Sequence, residues 1–315
     1  MQEQIRETGD ADGALEQRAV ELVRSSAQLR GFGTGRLTPK RDYTLAEMRL
    51  NKVEPQAFLS PRDTTLEAVR TQAGAALAAG TLAFVAAAHP SSAQQLAAGV
   101  GALTLLTVDQ VGNGGAAEAL VLDSLGRATS AAYRRRVARH ESGHFLVAWL
   151  CGILPRAYTL SALDALRREG ALNVQAGTQF ADKAFQREVA GGTLSSASLD
   201  TYCCIALAGI ASEVLAFGQA EGAPFGSASS SEKSDLTRAP RPGGLNDVRQ
   251  LDGLLQALAF TQKRADSQIR WAALATTALL RRHSAAHDAL EAAMASGASV
   301  GSCIGVLEQH LNEEL

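Results

Sequence analysis

Aromatic residues are scarce, at 5% of 315 residues. Alanine-rich stretches take their place, which favours helix over sheet. Neither sign of charge prevails: 30 Lys and Arg stand against 32 Asp and Glu, a formal net charge of -2. That balance gives no reason to expect nucleic acid as a partner. There are only four cysteines, and no C-x-x-C, which leaves a disulfide framework and a structural zinc knuckle without support. The adjacent pair Cys203 and Cys204 sits in an apolar run and reads as buried thiols in a reducing compartment. The opening MQEQIRETGDADGALEQ carries acids and lacks an apolar core, unlike a signal peptide, and it is a poor transit peptide. A phosphate loop is also missing. The cluster Gly31-Phe32-Gly33-Thr34-Gly35-Arg36 lacks the G-x-x-x-x-G-K-[ST] spacing and no apolar strand precedes it, so it reads as a flexible loop. No ATPase domain and no direct ATP binding are expected.

The length is compatible with one or two domains and a core of ordinary size. Residues 1–70 form a polar N-terminal region with one amphipathic helix over 15–29. Two uncharged runs follow, AGAALAAGTLAFVAAA over 73–88 and LAAGVGALTLLTV over 96–108, separated by His89-Pro90-Ser91-Ser92. Residues 71–110 therefore read as a helical hairpin. Two placements compete: a membrane hairpin of two short helices, or two buried helices of a soluble domain. A span needs about 20 mostly apolar residues, and each uncharged run is shorter. The turn chemistry and the downstream Arg134-Arg135-Arg136 fit the membrane placement.

Residues 130–300 read as a mainly α domain. Helices are predicted over 134–150, 196–217 (ending at Gly218), 247–264, 268–283 and 285–294, with short strands at 157–161 and 174–180. Residues 219–244 are rich in Gly, Ser and Pro and read as a loop insertion.

Within the first of these helices lies RHESGHFLVA, residues 139–148, which contains H-E-x-x-H. On a helix His140 and His144 share one face, so both imidazoles can reach one zinc ion at about 2.0–2.1 Å. Glu141 points about 100° around the axis. It can serve as the general base on a water rather than as a third ligand of that face. Gly143 is expected to leave room beside the metal. Phe145, Leu146, Val147 and Trp149 make the helix apolar just beyond the histidines, and polar groups in such company need partners. For the third ligand, Glu213, Asp235 and Asp247 are candidates. Asp247 follows Gly243-Gly244 and opens an apolar-periodic helix, whereas Asp235 is followed by Pro240 and Pro242. The choice falls on Asp247, with Asp235 second.

These segments resemble the FtsH zinc metallopeptidase family. RHESGHFLVA is similar to its HEAGHA-x-V pattern, AGIASEVLAFG to its GGRAAEE helix and LNDVRQL to its N-D-L segment. The resemblance spans roughly residues 130–290. It implies a zincin-like helical peptidase domain with Zn2+ held by His140, His144 and Asp247, and Glu141 as catalytic base. Glu213, matching the family's helix glutamate, would support the site or pack beside it. FtsH carries an AAA ATPase before its peptidase, and no such module is visible here. The nearest likeness is to ATPase-less FtsH-like proteins of cyanobacteria and chloroplasts. In that comparison residues 223–242 are an insertion, although SDLTRA also matches the family's N-D-L-x-x-A locally. The resemblance implies protein or peptide substrates, a chloroplast (thylakoid or envelope) membrane, and a homo-oligomer or a separate ATPase as partner. The rival expectation is a non-proteolytic scaffold that keeps the zinc fold.

Overall fold

The computed structural model describes residues 15, 17–26, 29–59, 64–113, 115–170, 177–181, 183–190, 194–220 and 244–314. The fold is mainly α, as the alanine-rich composition suggests. Among the described residues the only sheet is a pair of antiparallel strands, β1 (Leu154–Thr159) and β2 (Gly177–Ala181). Leu154 pairs with Ala181 and Thr159 with Gly177, and the register slips between Pro155 and Ala157. That slip lets β1 begin before the sequence-predicted 157, because a bulge accommodates Pro155, which lacks an N–H for the ladder.

The central element is α1 (Ala131–Leu150), which carries the H-E-x-x-H motif. It starts three residues before the expected position, since Ser130 caps it by accepting from the Tyr133 N–H. Its N-terminal turns carry arginines, and every residue from Ala138 to Leu150 is buried. The expected helix over 196–217 is two: α2 (Ser196–Ala206), capped by Ser195, and α3 (Ala208–Phe217), which ends at Gly218 with φ +81°. The break falls at Leu207 (φ -88°, ψ -3°). The expected helix over 247–264 is likewise cut. It is α4 (Gly244–Ala257), closed by Ala259 with φ +55°, and α5 (Gln262–Arg282) then begins earlier than predicted. Two more helices, α6 (Ser284–Ala295) and α7 (Val300–Glu314), follow. Helices α2, α3, α5 and α6 all pack on α1.

The contact of α1 with α3 is a close approach of small residues. A Cβ on Gly143 would lie 1.9 Å from Ser212 Oγ and 2.8 Å from the Ala208 carbonyl. Gly143 therefore serves helix packing and does not open space beside a metal, contrary to the sequence expectation.

The glycine cluster at residues 31–36 is not a flexible loop either. A helix leaves its last carbonyls unsatisfied, and this segment supplies donors to α1. The Gly33 N–H donates to the Trp149 carbonyl (3.0 Å) and the Gly35 N–H to the Leu150 carbonyl (2.8 Å). A Cβ at Gly35 would lie 2.8 Å from the Leu150 oxygen, which explains the glycine. Glu308 of α7 fixes the same place. Its carboxylate accepts from the Gly31 N–H (2.9 and 3.0 Å) and from Trp149 Nε1–H (2.7 Å). Farther on, Tyr43, Met48, Val53 and Phe58 are buried in the same core as α1.

The two uncharged runs lie within helices longer than the runs themselves, α8 (Thr64–Ala88) and α9 (Ser92–Gly112). His89 turns with φ +43°, and Ser91 with Gln94 forms a capping box that starts α9. Arg70 Nε and Gln110 Nε2 both donate to the Glu118 carboxylate, at 2.9 Å each. The pair therefore leaves and returns at one point, as an antiparallel hairpin does. Glu118 belongs to α10 (Ala116–Thr129), and Asp109 caps that helix by accepting from the Ala117 and Glu118 N–H groups (3.0 Å each). Tyr133 OH donates to the buried Asp123 (2.8 Å), joining α10 to the start of α1. The rival placement, two helices buried in a soluble core, is not what the described residues show: Leu77, Leu82 and Phe84 are 74, 72 and 63% exposed.

Candidate functional site

His140 and His144 lie one turn apart on α1, 5 and 4% exposed. Their rings meet edge to face at 69°, with centroids 4.8 Å apart. Each Nδ1 has an acceptor. His140 Nδ1 lies 2.7 Å from Glu213 Oε1, and His144 Nδ1 lies 2.8 Å from the Ile205 carbonyl. A carbonyl can only accept, so His144 carries its proton on Nδ1, and the Glu213 carboxylate selects the same tautomer for His140. The two Nε2 atoms are turned towards each other, 3.0 Å apart. In neutral rings so protonated, both are acceptors. Two lone pairs at that distance repel unless a proton or a cation lies between them.

Two Zn–N bonds of about 2.0–2.1 Å at a tetrahedral angle set their nitrogens about 3.3–3.4 Å apart, and the two Nε2 atoms, at 3.0 Å, are a few tenths of an ångström closer than that. Ligating imidazoles characteristically donate their other N–H to a carboxylate or a backbone carbonyl. Among the described residues no group of three His, Cys, Asp or Glu side chains is gathered to hold a metal ion. Asp247 lies in the first turn of α4, and α4 packs on α2. The Asp247 side chain lies outside the described residues, as do Asp235 and residues 221–243 of the insertion expected over 219–244.

Local sequence explains why these groups meet. Ile205 belongs to the last turn of α2, where helix carbonyls lack their usual partners, so the break at Leu207 makes its oxygen available to a side chain. Gly209 opens space for the His140 ring: a Cβ there would lie 2.2 Å from Nε2 and 2.3 Å from Cε1. Glu213, 3% exposed, is held from its other oxygen by Arg136 Nη1 (3.1 Å). Arg136 also donates to the Gln219 carbonyl (3.1 Å) and lies over the Phe217 ring at 4.5 Å. One arginine of the basic run is thus occupied within the fold. Arg134 is also engaged, donating to the Arg127 carbonyl.

Glu141, 2% exposed, points to the sheet rather than to α3. Thr178 of β2 donates to its Oε2 (3.0 Å) and stands 3.3 Å from its main-chain oxygen. The structure thus brings His140, His144 and Glu213 together, with Glu141 on the adjoining face. Gly209, Thr178, Ile205 and Arg136 were not anticipated as site residues. Gly209 had a signal, as a glycine among small residues two positions from a break. Thr178 had none, since the contact depends on where the strand is laid.

On the opposite side of α1, His287 is fully buried and its Nε2–H donates to Ser142 Oγ (2.9 Å). Ser142 spends its own proton on the Arg139 carbonyl (3.0 Å). Burial, reinforced by the nearby Arg139 charge, pushes the His287 pKa down to about 3.

No protein-family model, no curated protein and no solved structure matches this chain.

Proposed function

We propose that the protein is a zinc-dependent endopeptidase of the FtsH type, acting on protein substrates. The observation that carries the reading is the pair of Nε2 atoms 3.0 Å apart, each on a ring whose Nδ1 is already committed to an acceptor. Glu141, adjacent in sequence and anchored by Thr178, supports it. In this reading His140, His144 and Asp247 hold the zinc. A bound zinc would polarise the scissile carbonyl and bring the pKa of a water near 7. Glu213 and the Ile205 carbonyl keep both rings in the tautomer that presents Nε2. Glu141 takes the proton from the attacking water on its carboxylate and passes it to the leaving amine nitrogen.

The test is zinc content and casein digestion of the purified protein. One zinc per chain, lost in His144→Ala, with digestion lost in Glu141→Gln while zinc stays bound, is the expected result. Equal metal content in wild type and His144→Ala would mean that the two rings share a proton instead. A zinc-loaded protein that leaves casein intact would point to the non-proteolytic scaffold, or to an enzyme that needs a separate ATPase.

A further inference from the structure

The hairpin of α8 and α9 carries its apolar side chains outward, with nothing among the described residues covering them. Leu103 and Leu105 of α9 are 66 and 72% exposed, as far out as Leu77 and Leu82 of α8. Monomeric soluble domains rarely expose contiguous apolar patches beyond a few hundred Å². The stretch Ala68–Ala88 is long and apolar enough to cross a membrane. Its 21 residues rise about 31 Å as a helix, close to the ~30 Å of a hydrocarbon core. α9 also has 21 residues but is less apolar and falls short of the measure that Ala68–Ala88 meets; its one charged residue is Asp109 near the returning end.

Three further observations fix how such a pair would sit. The entry and exit are clasped together, since Arg70 and Gln110 share the Glu118 carboxylate. The tip is polar, His89-Pro90-Ser91, with Gln95 Nε2 donating to the Pro90 carbonyl (2.9 Å). No Lys or Arg occurs between Arg70 and Arg127, so positive charge lies only on the base side of the hairpin.

The chain before the hairpin is bound to the chain after it. The Thr38 carbonyl accepts from Trp271 Nε1–H (2.9 Å) and the Tyr43 carbonyl from Arg270 Nε–H (2.7 Å). Arg281 donates to the Asn51 and Lys52 carbonyls, at 2.7 and 3.0 Å. A single crossing would tear these contacts apart.

We propose that the hairpin inserts into a lipid bilayer as two crossings. Residues 89–91 emerge on the far face, and the described residues of 29–59 and 116–314 remain together on the near, arginine-bearing face. This inference does not depend on the chemistry of the histidine pair. It also fixes the side of the membrane on which His140 and His144 stand. The clasp at Glu118 and the Asp109 cap tie the base of the hairpin to α10.

The experiment uses the full chain expressed in bacterial cells. Single cysteines are placed at exposed positions before, at and after the hairpin: Glu54→Cys, Ser91→Cys and Ser296→Cys. Right-side-out and inverted membrane vesicles are treated with a membrane-impermeant maleimide, with the parent chain as baseline for its own four cysteines. Matching thermal unfolding of each variant and its parent controls for folding. The protein should stay with carbonate-washed membranes. Glu54→Cys and Ser296→Cys should react from one face, Ser91→Cys only from the other, and all three after detergent. Release into the soluble fraction would overturn the proposal and point to a second copy covering the hairpin. Reaction of Ser91→Cys from the same face as the other two would also overturn it, as would opposite-face reaction of Glu54→Cys and Ser296→Cys.

Discussion

Gly209→Ala is predicted to change the sign of its effect according to what stands at position 140. Alanine in place of glycine in a helix gains up to about 1 kcal/mol through backbone entropy. In the native protein that gain meets a collision, because the new Cβ falls 2.2 to 2.5 Å from three atoms of the His140 ring. His140 cannot retreat cheaply. Its Nδ1 is 2.7 Å from Glu213, which Arg136 holds in turn. Overpacking of this kind costs about 1–3 kcal/mol, so Gly209→Ala should destabilise by roughly 1–2 kcal/mol net. At about 2–4 °C per kcal/mol, the midpoint should fall by several degrees. With His140→Ala already present the ring is gone, and the same substitution should raise the midpoint. Thermal unfolding of wild type, both single variants and the double variant measures the coupling directly. Zinc content should fall in Gly209→Ala at temperatures where it remains folded, because the ring that gives way is a proposed ligand. An equal effect of Gly209→Ala in both backgrounds would refute the collision, and with it the placement of the His140 ring against α3.

Glu141→Gln should lower casein digestion by roughly two to four orders of magnitude with zinc content unchanged, as followed by fluorescent casein release and metal analysis. Glu213→Gln should weaken zinc binding about 10–100-fold in a chelator competition. It should also lower stability, since Arg136, with its side chain only 16% exposed, loses its carboxylate. Stability should fall as pH drops from about 6.5 towards 3. The His287 pKa is depressed to about 3 in the folded protein, so the unfolded chain binds the proton first and gains on the native state throughout that window. Urea unfolding at stepped pH should show this slope in wild type and a flatter one in His287→Gln.

The motif helix was legible because its signals are local, arginines early and apolar residues late, although its cap at Ser130 went unread. The motif itself also named His140, Glu141 and His144. Breaks in other helices were less visible. Leu207 and Ala259 are ordinary helix residues, and the chain turns there because the surrounding packing requires it. The small residues of AGIASE were visible, but their purpose was not: Gly209 accommodates a ring and Ala208 and Ser212 accept the backbone of Gly143. Composition misled at residues 31–36. Glycines there permit close approach to the Trp149 and Leu150 carbonyls, which local patterning cannot distinguish from a loose loop.

The carboxylate that secures the end of the motif helix belongs to Glu308. It lies 277 positions after Gly31 and 159 after Trp149, the two residues it binds. During synthesis at about 5–20 residues per second, Gly31 therefore waits roughly 15 to 55 s for its partner. Until then the indole of Trp149 and the end of α1 lack a contact made in the finished fold, and closing so long a loop is slow. The helix bearing His140 and His144 thus reaches this anchorage only once α7 is made. A nascent or truncated chain would carry the whole motif while lacking the lock that holds its helix end.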